Sequence, residues 1–307
     1  MNIRPLLYLG AVASAGLLST TANATDVRVD LDFTTWTDAG ALDGLAQPEE
    51  LVTVPRSFTM RMLDSTNPAL GSLTTVENFL KYVADGDYAN SFVHRSAKTQ
   101  FGIPFVIQGG GFTIEDLPPV NSVPTDPPIA DDPHPNRSNV LGTVAMARSG
   151  VDTATSQWFV NLKDNSFLDP DFTVFAEVIE GMDTIDAIAN LERINAGGPF
   201  NEMPLYYYDG AFAGSQFVKT NIHVVGDADL DGYVHANDFG QVASQFGTSG
   251  DLSGDLNDDT DVNLSDFGIV AYHFGSGLEP AATLAVPEPG SIALLALGAL
   301  MIGPRRR

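Results

Sequence analysis

Residues 92–112 read FVHRSAKTQFGIPFVIQGGGF, with a single arginine, Arg95, among largely apolar neighbours and three glycines, Gly109 to Gly111, near the end. The stretch admits three readings: a phosphate-binding loop, a pair of buried strands, or the wall of a binding groove. A phosphate loop needs its glycines to open a helix, with a lysine and a hydroxyl behind them, so that backbone N–H groups converge on the anion. Here Phe112, Thr113, Ile114, Glu115 and Asp116 follow, an acidic exit that repels phosphate. Strand and groove are the readings that survive.

Outward from this stretch, the composition sets bounds. A chain of 307 residues with 44% apolar content accommodates a substantial core and a smaller second module. The formal net charge of −24 argues against nucleic-acid backbones and anionic membrane surfaces as partners, because both attract basic patches. With no cysteine, disulfides, thiolate nucleophiles and Cys-ligated zinc are excluded. The five histidines, His94, His134, His223, His235 and His273, form neither a His-Glu-x-x-His motif nor a set around a Gly-x-Ser-x-Gly elbow.

At the N-terminus, Arg4, an apolar run over 6–18 and Ala22-Asn23-Ala24 as a small-x-small site predict a signal peptide over 1–24, hence an exported chain starting near Thr25. Strands are predicted over 52–63, 91–95, 105–108, 142–147, 157–162 and 173–179. Thr74 and Glu77 form a capping-box start to one helix, and a second is predicted over 182–191. Residues 117–137, dense in proline, aspartate and asparagine, predict a long surface loop. Many short strands with two helices predict a mainly β fold, an antiparallel barrel whose ends the helices close.

Taken in order, Thr75-Val76-Glu77-Asn78-Phe79, residues 92–112, Gly142-Thr143-Val144-Ala145-Met146-Ala147-Arg148, Ser156-Gln157-Trp158-Phe159, Phe167-Leu168-Asp169 and Val174-Phe175 resemble a bacterial cyclophilin-type peptidyl-prolyl cis-trans isomerase over roughly 52–225. The resemblance implies a closed, antiparallel eight-stranded barrel capped by two helices, with a groove on its outside and no cofactor for isomerisation. Its catalytic set would be Arg95, Phe105, Gln108, Gln157 and Phe159; Val106, Ala147, Arg148, Phe167, Leu168 and Phe172 would bind substrate. Partners would be X-Pro peptides and unfolded exported proteins. The chain departs from the family pattern at Phe172, where many relatives carry histidine or tyrosine, at Phe167, where some carry tryptophan, at Val106, in place of the common methionine, and in a longer 96–104 turn.

From 226 to 277 lysine and arginine vanish and aspartates recur, GDADLDGYVHANDFG answering GDLNDDTDVNLSDFG. Calcium loops of twelve residues place oxygen ligands at positions 1, 3, 5, 7 (through the carbonyl), 9 and 12. The first repeat offers Asp227, Asp229, Asp231, the Tyr233 carbonyl, His235 and Asp238; the second offers Asp255, Asn257, Asp259, the Asp261 carbonyl, Asn263 and Asp266. His235 at position 9 is read as acting through water or facing away. Gly232 stands at the sharp turn of the first loop and Thr260 at that of the second, and helices are predicted over 239–246 and 267–274. The pair resembles a type I dockerin, which implies about two Ca2+ ions, a small α-helical domain and a cohesin-like partner. The alternative is an acidic solvated linker.

The tail AVPEPGSIALLALGALMIGPRRR carries Val286-Pro287-Glu288-Pro289, an apolar stretch over 292–302 and Arg305 to Arg307. It resembles a PEP-CTERM sorting signal, which implies transient membrane association through this transmembrane segment and cutting by an exosortase-type enzyme; a permanent anchor is the alternative. The chain thus divides into 1–24 signal peptide, 25–51 N-terminal extension, 52–225 isomerase-like domain, 226–277 calcium module, and 278–307 linker and sorting signal. The expected function is an exported isomerase at the periplasm or cell surface that assists folding. The alternative is a non-catalytic peptide-binding or adhesion protein built on the same barrel.

Overall fold

Alternation of apolar and polar residues builds the centre of the sheet, in strands β1 (Asp26–Leu31) and β2 (Ser57–Met62). Val27, Val29 and Leu31 of the first and Phe58, Met60 and Met62 of the second are buried, and their register pairs Val27 with Met60 and Val29 with Phe58. The computed structural model of the chain describes residues 24–31, 57–64, 73–115, 119–133, 136–206, 210, 212, 214–250 and 252–279.

Helix α1 (Leu73–Ala84) follows, then β3 (Ser91–Phe92), β4 (Arg95–Lys98), β5 (Pro104–Gly109), β6 (Phe112–Thr113), β7 (Asn121–Ser122), β8 (Thr143–Met146), β9 (Trp158–Asn161) and β10 (Val174–Glu180). After these come α2 (Met182–Asn190), β11 (Glu192–Ile194), β12 (Met203–Leu205) and β13 (Lys219–Val224). An 11-stranded antiparallel sheet runs β4-β5-β9-β8-β10-β2-β1-β13-β3-β6-β7, and β11 pairs with β12 apart from it. The ladders form a curled, mainly β sheet in this linear order. The two flanks meet through the chain itself: Ser91 pairs with Thr220 of β13 and Arg95 with Gln108 of β5, with only Val93 and His94 between β3 and β4.

Both helices pack on the core formed by the sheet. Val76, Phe79, Leu80 and Tyr82 of α1 and Ile185 and Ile188 of α2 join Phe58, Met60, Ile107, Trp158 and Phe175 in one buried cluster. At about 25 cal/mol per Å2 of apolar surface removed from water, such side chains supply the main driving force for folding.

The structure revises several local expectations. Residues 26–31, set apart above as part of an extension, form a central strand of the sheet, so the β domain begins before residue 52. Helix α1 already includes Leu73, which puts Thr74 inside the first turn and not at its cap. Within the expected loop over 117–137, Asn121–Ser122 pairs with β6 and Ile129 bridges to Ala154. The predicted strand residues 52–56, nearly all of the signal segment and the sorting segment fall outside the described residues. Among the described residues, no helix is long and apolar enough to cross a membrane.

Helices α3 (Ala236–Gln245) and α4 (Leu264–His273) start three residues earlier than their aromatic patterns predict. His235 and Asn263 are the N-caps, and Asp238 and Asp266 close capping boxes at N3. Val234, Val242, Val262 and Val270 of this region join the same buried cluster as the sheet.

Candidate active site

A single cross-strand row lays out the site. Arg95 on β4 pairs with Gln108 on β5, Gln108 with Phe159 on β9, Phe159 with Ala145 on β8, and Ala145 with Val174 on β10. Residues directly opposite in antiparallel strands share a face, so one guanidinium and one amide stand at the end of an apolar row. Ala97, Val106, Ala145, Phe159 and Val174 form a buried patch, against which Phe105, Ala147, Leu168 and Phe172 pack.

The resulting cleft of about 270 Å3 is lined by Arg95, Phe105, Val106, Gln108, Ala147, Arg148, Phe159, Leu168 and Phe172. Gln157 stands behind this lining and holds Gln108, whose Nε2 donates to its Oε1 at 2.9 Å. Phe167 lies at the rim, 67% exposed, with its ring stacked on Phe105 at 6.1 Å. Arg148 is a braced wall: it donates to the Asp171 carboxylate at 2.7 Å and to the Asp171 carbonyl, and it lies 5.5 Å from the Phe172 ring. Phe172 meets Phe159 edge-on at 5.6 Å. The longer turn forms an ordered tip, where the Thr99 hydroxyl accepts the N–H groups of Phe101 and Ile103 and leaves Phe101 exposed.

Arg95 is held by its Nε, which donates to Glu202 at 3.1 Å, and more loosely by Nη1, 3.5 Å from the Gln108 amide oxygen. Its Nη2 has no protein partner among the described residues. The neighbouring His94 is buried, and its pKa falls to about 4, first through desolvation and then through the charge of Arg95. At neutral pH its imidazole is uncharged, so it adds no second positive charge directly beside the Arg95 guanidinium.

Sequence reasoning missed the polar scaffold behind the apolar wall. Asn161 donates to Asn139 at 3.0 Å, Asn165 to Asn161 at 2.9 Å and to the Phe105 carbonyl at 3.1 Å, and Asn139 to the Phe172 carbonyl at 3.1 Å. Buried amides linked in this way fix the backbone on both sides of the cleft, although the Asn165 Oδ1 itself accepts no hydrogen bond among the described residues. Each asparagine alone reads as a turn residue, so no local signal marks them.

The glycines let the backbone approach β9 closely. A Cβ on Gly109 would stand 2.7 Å from the Trp158 ring, and one on Gly110, at φ +72, 2.6 Å from the Ser156 carbonyl oxygen.

The acidic loops repeat one geometry. Asp227 accepts the Gly232 N–H at 2.8 Å, and Asp255 accepts the Thr260 N–H at 2.8 Å. Asp238 accepts from Ala228 and His235, as Asp266 does from Leu256 and Asn263. Thr260 adopts φ +72 where Gly232 has φ +90, so the second loop makes the same left-handed turn without glycine. Carboxylate oxygens of Asp227, Asp229 and Asp238 lie within 4.8 Å of one another, and so do ligand atoms of Asp229, Asp231 and His235. The His235 ring turns into the loop, with Nδ1 2.9 Å from Asp238 and Nε2 3.3 Å from Asp231, a correction to the expectation that it faces away.

Among known proteins, the family model described as cyclophilin type peptidyl-prolyl cis-trans isomerase/CLD matches residues 72–207. Peptidyl-prolyl cis-trans isomerase A of Dickeya dadantii is 36% identical over 137 residues, covering 42% of this chain and 66% of that protein, so the match spans just under two thirds of that relative. Peptidyl-prolyl cis-trans isomerase B of Escherichia coli is 37% identical over 132 residues, 40% of this chain and 75% of that protein. A solved cyclophilin type peptidyl-prolyl cis-trans isomerase of Cryptosporidium parvum aligns with a TM-score of 0.42 at 18% identity, covering 66% of this chain and 98% of that one.

Proposed function

The chain belongs to the cyclophilin-type peptidyl-prolyl cis-trans isomerase family, and from that premise we propose that its cleft accelerates rotation about X-Pro peptide bonds in exported proteins. The amide resists rotation by about 18–20 kcal/mol because nitrogen donates its lone pair into the carbonyl. Unaided isomerisation takes tens of seconds or longer, and reaching milliseconds means lowering the barrier by roughly 5–6 kcal/mol. The reaction makes or breaks no covalent bond, so it needs neither a nucleophile nor an acid-base pair.

The observation that carries the proposal is the row from Arg95 through Gln108 to Phe159 over an apolar floor. The proline ring would sit on Val106, Phe159, Leu168 and Phe172. Arg95, with Nη2 uncommitted, would donate to the prolyl carbonyl and towards the nitrogen, which accepts a hydrogen bond only once twisting has broken conjugation. Such donation favours the twisted state over either planar ground state. Counting residues 91–98 as one bent strand, the ladder order supports reading the sheet as the eight-membered ring of the family.

The finer proposals are export, a calcium module and sorting. The paired acidic loops offer mainly oxygen donors, which suit Ca2+. Asp227, Asp229, Asp231, Asp238 and the Tyr233 carbonyl would hold one ion; Asp255, Asn257, Asp259, Asn263, Asp266 and the Asp261 carbonyl would hold the other. The ions would neutralise clustered carboxylates and order the two loop-helix units for a cohesin-like partner. The tail would hold the chain at the membrane until an exosortase-type enzyme cuts it.

A protease-coupled X-Pro assay tests the central claim. Arg95→Ala is expected to lower kcat/KM at least about a hundredfold, roughly 2.7 kcal/mol, with the fold intact. An unchanged rate removes Arg95 from the role. An inactive native protein that still binds proline peptides supports the scaffold alternative.

A further inference from the structure

The geometry points to Glu202 as a positioning residue for Arg95, an inference that rests on the isomerase reading above. Glu202 immediately precedes β12, in the hairpin that stands apart from the main sheet but packs beside β4. That hairpin supplies nothing to the cleft lining, yet it makes a set of bonds around the arginine. The Glu202 carbonyl accepts the Ser96 N–H at 2.8 Å, so its backbone is tied to the residue following Arg95. One carboxylate oxygen accepts Arg95 Nε at 3.1 Å; the other lies 3.4 Å from Arg193 Nη1, which also donates to the Ser96 carbonyl at 3.2 Å.

Two consequences follow from this arrangement. The carboxylate accepts Nε–H, which restrains the plane of the guanidinium, and no hydrogen bond commits Nη2 among the described residues. A long, rotamer-rich side chain gains preorganisation from such an anchor, and electrostatic stabilisation of a transition state depends on donors already being in place. Because Arg193 shares the same carboxylate, the group of two arginines and one glutamate keeps a net positive charge, so anchoring does not cancel the cation the reaction uses. Glu202 is half-buried, where an ion pair is screened less than at the open surface.

The test uses the full chain and compares Glu202→Gln, which keeps shape and an acceptor, with Glu202→Ala. Steady-state kinetics on an X-Pro peptide are paired with NMR of the Arg95 Nε–H, a signal that a merely structural role would leave alone. We expect Glu202→Ala to lose about tenfold in kcat with KM changed less than about twofold, as misorientation of a catalytic group does. Its Arg95 Nε–H signal should broaden through faster exchange with water, and Glu202→Gln should fall between the two proteins in both readouts. Full kcat and an unchanged Arg95 signal in Glu202→Gln would overturn the inference, even if Glu202→Ala failed to fold. Native activity no greater than that of Arg95→Ala would instead remove the isomerase reading, and this inference with it.

Discussion

His94 shows how one buried side chain beside the site makes the fold sensitive to acid. Its ring packs edge-on against Phe92 and Phe112, and its Nδ1 has no hydrogen-bond partner. The folded pKa of about 4 lies below the ordinary value of 6.5. Between those values the unfolded chain binds the proton and the folded chain does not, so stability is full above pH about 6.5 and declines as pH falls towards about 4. The loss amounts to on the order of 3 kcal/mol. Urea unfolding across this window should show it, and His94→Phe should flatten the dependence; superimposable curves for the two proteins would refute the assignment. The neighbouring Arg95 was legible from its motif, but Glu202 was not, because the pair is separated by 107 positions.

Among the elements, β5 is constrained on both of its faces. Val106 and Gln108 face the cleft, Ile107 faces the core, and the strand runs directly into glycines pressed against β9. Gly110→Ala would need both a left-handed alanine and displacement of the Ser156 carbonyl or the Trp158 ring. The expected destabilisation is roughly 2–4 kcal/mol, measurable by denaturant unfolding, and a loss under about 0.5 kcal/mol would contradict the packing described. Richness in β-forming residues made β2, β3, β5, β8, β9 and β10 readable in advance and missed β1, β6, β7 and β13. It could not expose the starts of α3 and α4, because Asp238 and Asp266 there serve as N3 capping residues and not only as ends of a ligand pattern.

For the whole molecule, the acidic module is seated on the β domain and not merely strung behind it. A Cβ on Gly232 would stand 2.3 Å from the Ala84 Cβ at the end of α1, and Arg28 of β1 pairs with Asp258 of the second loop. The ion pair is partly exposed and worth little; the shared apolar cluster carries the attachment. We expect chelation to remove the helical signal of α3 and α4 while isomerase activity persists, since the cleft shares no residue with the module. Calcium titration should saturate at about two ions per chain. Circular dichroism indifferent to chelator would count against calcium-driven order. Gly232→Ala should separate the two units into distinct unfolding transitions in calcium, and one unchanged transition would show that the contact does not couple them.

By itself the sequence determined the family motifs, the apolar alternation, the acidic repeat and the exclusion of thiol chemistry, because these depend on residue type and local spacing. Nearly all the residues that line the cleft were recognisable from the motifs that carry them. Only the tertiary structure placed 26–31 at the centre of the sheet, brought Glu202 and Arg193 to Arg95, and joined Asn139, Asn161 and Asn165 behind the pocket. Pairing of distant strands and burial of polar groups depend on which surfaces meet once the sheet curls. No local run of residues encodes that meeting, because its energy resides in contacts between segments far apart in the chain.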